Sequence, residues 1–224
     1  MMEHIPEFFQ VPKDKVTKSL AIEFYEWIPH DKTEADWAMV LLDEYLTTEK
    51  VVLDLGCGIG LESRYFAERG TEVVGVDISR KNIIQAKINN LEYREHTSFI
   101  VDDITTITLN RRFNIVLLHD VLEHVFKDEQ EITLLNAIKH TAKNGIIFIK
   151  CPTEEHKEKY CSTETLSGHY VNPACFQILD EVVSLDWVKQ TLKENGVELL
   201  FLGYRGFIGD DPVWFIIIGR KVVE

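Results

Sequence analysis

Positive charge is what this chain has least of: 24 Lys and Arg stand against 37 Asp and Glu over 224 residues, a formal net charge of −13. Binding a duplex requires clustered Lys and Arg facing phosphate, so nucleic acid is not an expected partner. Cysteine is sparse too, and the four present, Cys57, Cys151, Cys161 and Cys175, form no Cys-x-x-Cys pair. Nor does the stretch from Cys151 to Cys175 hold a His-x₃-His pair, so the common structural zinc sites lack their spacing. Free thiols are expected, as in a reducing compartment. No apolar run approaches the ~20 residues that span a bilayer. The opening "MMEHIPEFFQVPKDK" lacks the basic-then-apolar order of a secretory signal. The expectation is a cytoplasmic protein without a membrane span. Repeats and low-complexity tracts are missing as well.

The remaining composition, 45% apolar and 27% charged, is that of an ordinary globular chain able to bury a sizeable core. Prolines at 6, 12 and 29 and the aromatics Phe8, Phe9, Phe24, Tyr25 and Trp27 mark residues 1–36 as an irregular N-terminal segment, expected to act as a lid. In "TEADWAMVLLDEYL", Trp37, Val40, Leu41, Leu42 and Tyr45 recur at helical spacing. From residue 51 strands and helices alternate. Apolar runs end at Leu55, Asp77, Val101, His119 and Lys150, with helix-like segments at 61–69, 80–93 and 129–143 between them. Ser79 is placed to cap the second of these helices. Continuous Val/Ile/Leu strands joined by helices predict an α/β fold, a mostly parallel sheet covered on both faces. Near the end, strands at about 197–202 and 213–219 leave no room for a helix between them and should pair antiparallel. The aromatic-rich stretch at about 151–183 reads as a substrate-side insertion in a domain running from 37 to 224.

The segment "VLDLGCGIG" (52–60) ends a strand in glycines at alternate positions. A loop leaving the carboxyl end of such a strand is where ligands bind, and missing Cβ atoms permit positive φ and close approach. Asp77 follows Gly56 by 21 positions, the distance at which a carboxylate meets ribose hydroxyls. A dinucleotide or S-adenosylmethionine would fit that pattern. The dinucleotide fingerprint is G-x-G-x-x-G, whereas this chain has G-x-G-x-G and carries Leu61 where the third glycine would fall. Asp54 would repel a pyrophosphate but suits an ammonium.

"VVLDLGCGIG", "VVGVD", "FIVDDI" and "FNIVLLHDVLEHV" together resemble successive motifs of the class I S-adenosylmethionine-dependent methyltransferases, over roughly residues 38–150, with the terminal strand pair extending the likeness to about 220. The resemblance implies a Rossmann-like seven-stranded sheet, mostly parallel, whose last strand is antiparallel. It implies S-adenosylmethionine as cofactor, with Asp54, Gly56 and Gly58 at its methionine end and Asp77 on the ribose. Ile78 would pack on adenine, and Asp103 or its neighbour Asp102 would bind the adenine amino group. No Asn-Pro-Pro-Tyr-type motif follows the fourth strand, against adenine or glutamine amino groups as acceptors. His119 stands there and is grouped with the cofactor-binding residues.

Methyl transfer to a hydroxyl needs a general base near the end of that strand. "HDVLEHV" resembles the "EVLEHV" segment of quinone-biosynthesis O-methyltransferases and offers Asp120, Glu123 and His124 at i, i+3 and i+4, one face if the segment is helical. His124 and Glu123 are the catalytic candidates, with a carboxylate orienting the ring. A second reading has Asp120, Glu123, His124 and His169 hold a divalent cation, and a third leaves His124 a mere hydrogen-bonding role; a required metal is not expected. The aromatic segments 1–36 and 151–183 suit a flat or apolar small-molecule acceptor. A protein or nucleic-acid methyltransferase and a non-catalytic cofactor binder are the alternatives.

Overall fold

The apolar runs pair as strands because side chains on both faces need cover that only a central sheet provides. The structure, a computed structural model, describes residues 15–27, 33–160, 179, 181–208 and 211–223. Seven strands form one sheet: β1 Val51–Leu55, β2 Glu72–Asp77, β3 Thr97–Val101, β4 Phe113–His119, β5 Thr141–Pro152, β6 Val197–Ile208 and β7 Asp211–Lys221. Their order is β3-β2-β1-β4-β5-β7-β6, parallel except that β7 runs antiparallel to both of its neighbours. The first four strands end at the residues where the apolar runs end, while β6 and β7 are longer than expected and meet in one hairpin.

Among the described residues six α-helices accompany the sheet: α1 Lys18–Trp27, α2 Leu61–Ala67, α3 Arg80–Asn89, α4 Gln130–His140, α5 Glu154–Tyr160 and α6 Leu185–Glu194. The Ser79 side chain accepts from Asn82 N–H, capping α3 as expected. Two expectations need correction. Residues 37–45 form 3₁₀ turns rather than an α-helix, opened by Asp36, whose side chain accepts from Ala38 N–H at 2.8 Å. The N-terminal segment contains α1, on which Ala21 and Phe24, three positions apart, are buried. Within the expected insertion, α5 is described. Residues 1–14, 28–32, 161–178, 180, 209–210 and 224 lie outside the described residues, and with them Cys161, Cys175 and His169. Cys57 and Cys151 are buried free thiols. No helix among the described residues is long and apolar enough to cross a membrane.

Side chains alternate across a strand, so each face of the sheet is a set of rows. On one face Leu53, Val116, Leu118, Ile147 and Ile217 pack in a core with Leu134 of α4 and Val188 of α6. On the other, Val52, Ile115, Leu117, Phe148 and Ile216 pack with Met39 and Leu42 of the 3₁₀ segment and Phe66 of α2. Each such side chain contributes roughly 1.5–3 kcal/mol by burial. The rows of this second face end, at the carboxyl edge, in Asp77 on β2, Asp54 on β1, His119 on β4, Lys150 on β5 and Trp214 on β7, with Arg205 of β6 opposite Trp214. That edge is the site.

Candidate active site

β1 delivers the chain into the glycine loop, where Gly56 and Gly58 take φ of +74° and +51°. The two are bare for different reasons. A Cβ at Gly56 would lie 2.6 Å from the Val121 side chain, so this glycine lets two loops pack; at Gly58 nothing lies within 4 Å, and the missing Cβ leaves open space. Gly58 N–H donates to Asp77 Oδ2 at 2.9 Å, while Oδ1 accepts from Ser79 N–H at 2.8 Å and Asn82 Nδ2 at 3.3 Å. These bonds fix the Asp77 carboxylate between the loop and the start of α3. Ile78, next to it, is half-buried.

Asp54 is buried under the loop and accepts from Ser63 Oγ at 2.7 Å. Burial, and after it the charge of Glu62, push its carboxyl up to about 7. Such a group ionises when a cation is brought against it. At the end of β3 the structure separates the two adjacent aspartates. Asp103 Oδ1 accepts from Thr105 N–H at 2.9 Å and Oγ1 at 2.7 Å, and its Oδ2 meets Lys18 Nζ at 2.7 Å. Lys18 also reaches Glu129 at 2.6 Å, so α1 is tied to the loops after β3 and β4. Asp102 is exposed, with Oδ1 accepting from Asp103 N–H.

Beyond β4 the edge carries a charge network. The buried His119 ring stacks on Phe148 and lies 3.5 Å from Asp36 Oδ2 and 3.8 Å from both Glu62 Oε1 and Asp120 Oδ2. Burial lowers the affinity of His119 for its proton, but Asp120, Asp36 and Glu62 outweigh it and raise its pKa. Lys150, 3% exposed, donates to Asp120 Oδ2 at 2.5 Å, sits 3.3 Å from Asp36 Oδ2 and lies over the Trp214 ring at 4.9 Å. Arg205 lies over the Trp37 ring at 3.7 Å. Burial works against ionisation of Asp36, yet its contact with His119 and the charge of Lys150 hold its carboxyl well below the usual range. Ligand-type atoms of Asp36, His119 and Asp120 lie within 4.8 Å of one another, as in a metal site. The ammonium of Lys150 already provides the cation for both of those carboxylates.

The expected face of Asp120, Glu123 and His124 does not form. Asp120 takes φ of +52° and turns to Lys150, and only Leu122–His124 makes a single 3₁₀ turn. Glu123 is 1% exposed; burial and then the Asp120 charge push its carboxyl up to about 7, and it neighbours the buried Cys151 thiol. His124 Nδ1 donates to the Leu179 carbonyl at 2.8 Å, and Nε2 lies 3.9 Å from Glu123 Oε1. The Leu179 carbonyl orients this ring through Nδ1. Sequence reasoning missed Asp36, Glu62, Lys150 and Arg205. The available signal was Lys150 itself, a cation closing the apolar run "GIIFIK", since a lysine on a central strand must find acids nearby.

The chain matches the family profile described as a methyltransferase domain over residues 30–200. It is 33% identical over 98 residues to the ubiquinone biosynthesis O-methyltransferase of Pelagibacter ubique, covering 44% of this chain and 40% of that protein. To the enzyme of the same name from Cereibacter sphaeroides it is 31% identical over 126 residues, covering 54% and 47%. The matched segments thus span less than half the length of these curated relatives. Among solved structures, magnesium protoporphyrin IX methyltransferase from Synechocystis, with bound S-adenosylmethionine, superposes with a TM-score of 0.61 at 15% identity, over 89% of this chain and 90% of that one. That likeness is one of fold.

Proposed function

The chain belongs to the class I S-adenosylmethionine-dependent methyltransferases, and on that footing we propose that it methylates a small molecule at a hydroxyl oxygen. Bound at the glycine loop, S-adenosylmethionine supplies an electrophilic methyl on a sulfonium. The residues present fit it: Asp54 and Glu62 form an acidic pair for its ammonium, Asp77 is aimed for ribose hydroxyls, Ile78 offers an apolar surface to adenine and Asp102 an acceptor for its amino group. Gly58 leaves the room that the ligand needs.

The observation that carries the oxygen acceptor is the orientation of His124. Its Nδ1–H is committed to the Leu179 carbonyl, so the neutral ring keeps its lone pair on Nε2, the atom that would take a hydroxyl proton. Glu123 at 3.9 Å would balance the imidazolium formed. The relatives named as ubiquinone biosynthesis O-methyltransferases support a hydroxyl on a small ring. In this reading residues 1–36 close over the site and the 151–183 stretch walls the acceptor side.

The test is a screen of catechols with radiolabelled cofactor. His124→Ala should lower the rate by about 10²–10⁴-fold while S-adenosylhomocysteine affinity stays unchanged. Full activity of the folded variant removes the base assignment. Inhibition by a chelator, reversed by Mg²⁺, would favour the metal reading.

A further inference from the structure

We propose that Arg205, laid on Trp37 beside the Lys150–Trp214 pair, is a clamp for a carboxylate carried by the methyl acceptor, which makes the acceptor a planar aromatic acid. The inference rests on the small-molecule reading above and narrows it to a substrate class. Lys150, Arg205 and the titratable ring of His119 gather at this corner of the carboxyl edge, and they are unequally compensated. His119 faces three carboxylates, and Lys150 has a hydrogen bond to Asp120 besides its contact with Asp36. Arg205 has Asp36 Oδ1 at 3.7 Å and no hydrogen bond to it; its Nη1 is buried without a hydrogen-bond partner among the described residues. A buried donor left unmade is costly, and native sites keep such atoms for a ligand or a water.

Asp36 cannot swing to close that gap. Its Oδ1 caps the 3₁₀ segment through Ala38 N–H, and its own N–H donates to Glu62 Oε1 at 3.2 Å. It therefore orients the guanidinium without using up its donors. The contact with the Trp37 ring at 3.7 Å restrains the guanidinium, and a planar fork of N–H donors matches a carboxylate in two parallel bonds. Glu62, the acid beside the proposed methionine end, touches both His119 and Asp36, which sets the clamp next to the place of methyl transfer. The half-exposed indoles on either side favour a flat ring over a flexible aliphatic acid.

The probes are 3,4-dihydroxybenzoate and 3,4-dihydroxybenzamide, equal in shape and different in charge. Titrated calorimetrically into protein saturated with S-adenosylhomocysteine, the benzoate should bind at least about tenfold more tightly, the worth of one charge-assisted hydrogen bond. In Arg205→Gln the preference should fall below about twofold, with S-adenosylhomocysteine affinity and melting temperature retained. Arg205→Lys keeps the charge without the fork and should lose most of the preference; it serves if the glutamine variant fails to fold. Equal binding of the two probes, no binding of either at millimolar concentration, or a preference that survives in both variants overturns the clamp. Preferential benzoate binding without methyl transfer to either probe would instead leave the clamp standing and overturn hydroxyl methylation.

Discussion

Replacing Lys150 by Met tests whether the charge network is a buried unit. The substitution keeps most of the side-chain volume and the packing against Trp214, and it leaves Asp120 and Asp36 facing each other without the ammonium that lies 2.5 and 3.3 Å from them. Removing one partner of a buried ion pair costs about 3–5 kcal/mol. The two carboxylates keep some water, at 23% and 18% side-chain exposure, so the lower end, ~3 kcal/mol, applies. For a chain of this size that is a fall in Tm of about 6–12 °C. Burial pulls the Lys150 pKa down, but Asp120 and Asp36 more than offset it and raise the value above 10.5, so its contribution is complete below pH 10.5 and lost only above the raised value. The contribution of Asp36, whose pKa is lowered, is present above its ordinary 3.8 and lost as pH falls through the depressed value. Urea unfolding between pH 6 and 9 should therefore show the gap, since neither Lys150 nor Asp36 titrates in that window, and its size should follow the charge of His119 beside both carboxylates. Adding Asp120→Asn to Lys150→Met should cost less than the two single losses added together. A gap under about 1 kcal/mol, the worth of an exposed pair, would refute the reasoning.

The Asp54 carboxyl, pushed up to about 7, makes folding more favourable at low pH, an advantage lost as pH rises through that value. Asp54→Asn should thus gain Tm relative to the wild type more at pH 8 than at pH 5, while S-adenosylhomocysteine binding weakens by about 1.5–3 kcal/mol and loses its rise with pH. Thermal melts and calorimetry at both pH values check this; a pH-independent difference would contradict it. Asp77→Ala should weaken the same ligand by about 1.5–3 kcal/mol through lost charge-assisted bonds, and unchanged affinity in a folded variant would remove the ribose assignment. Deleting residues 1–28, which takes away α1 with its Lys18 links, should leave ligand affinity within a few-fold and abolish turnover; normal turnover would end the lid proposal.

Much of the fold was legible because the strands are apolar on both faces and end abruptly: Leu55, Asp77, Val101 and His119 close their strands as expected. The antiparallel β7 followed from chain length alone, there being no room for a crossover. What failed was local. The prolines flanking α1 hid a helical spacing already present in Leu20, Ala21 and Phe24. Helical spacing was in turn read into Asp120, Glu123 and His124, where a left-handed Asp120 breaks the run. Asp54 and Asp77 sit close to motif glycines and could be named as candidates. Asp36, Glu62, Lys150 and Arg205 come from four separate segments, and only tertiary register gathers them.

The apolar rows beneath the polar edge, from Val52 and Ile115 to Phe148 and Ile216, also act as a dielectric wall. Field lines from the charges cannot spread into that hydrocarbon and are pressed outward into the cleft. Mobile ions reach the cleft and not the wall. In 1 M salt the screening length shrinks to about 3 Å, comparable to the spacing inside the network and far shorter than the path of an approaching solute. Ionic strength should then speed the capture of an anionic acceptor, whose approach a net charge of −13 opposes, while hardly moving the melting temperature, so that one molecule answers salt in its kinetics and ignores it in its stability.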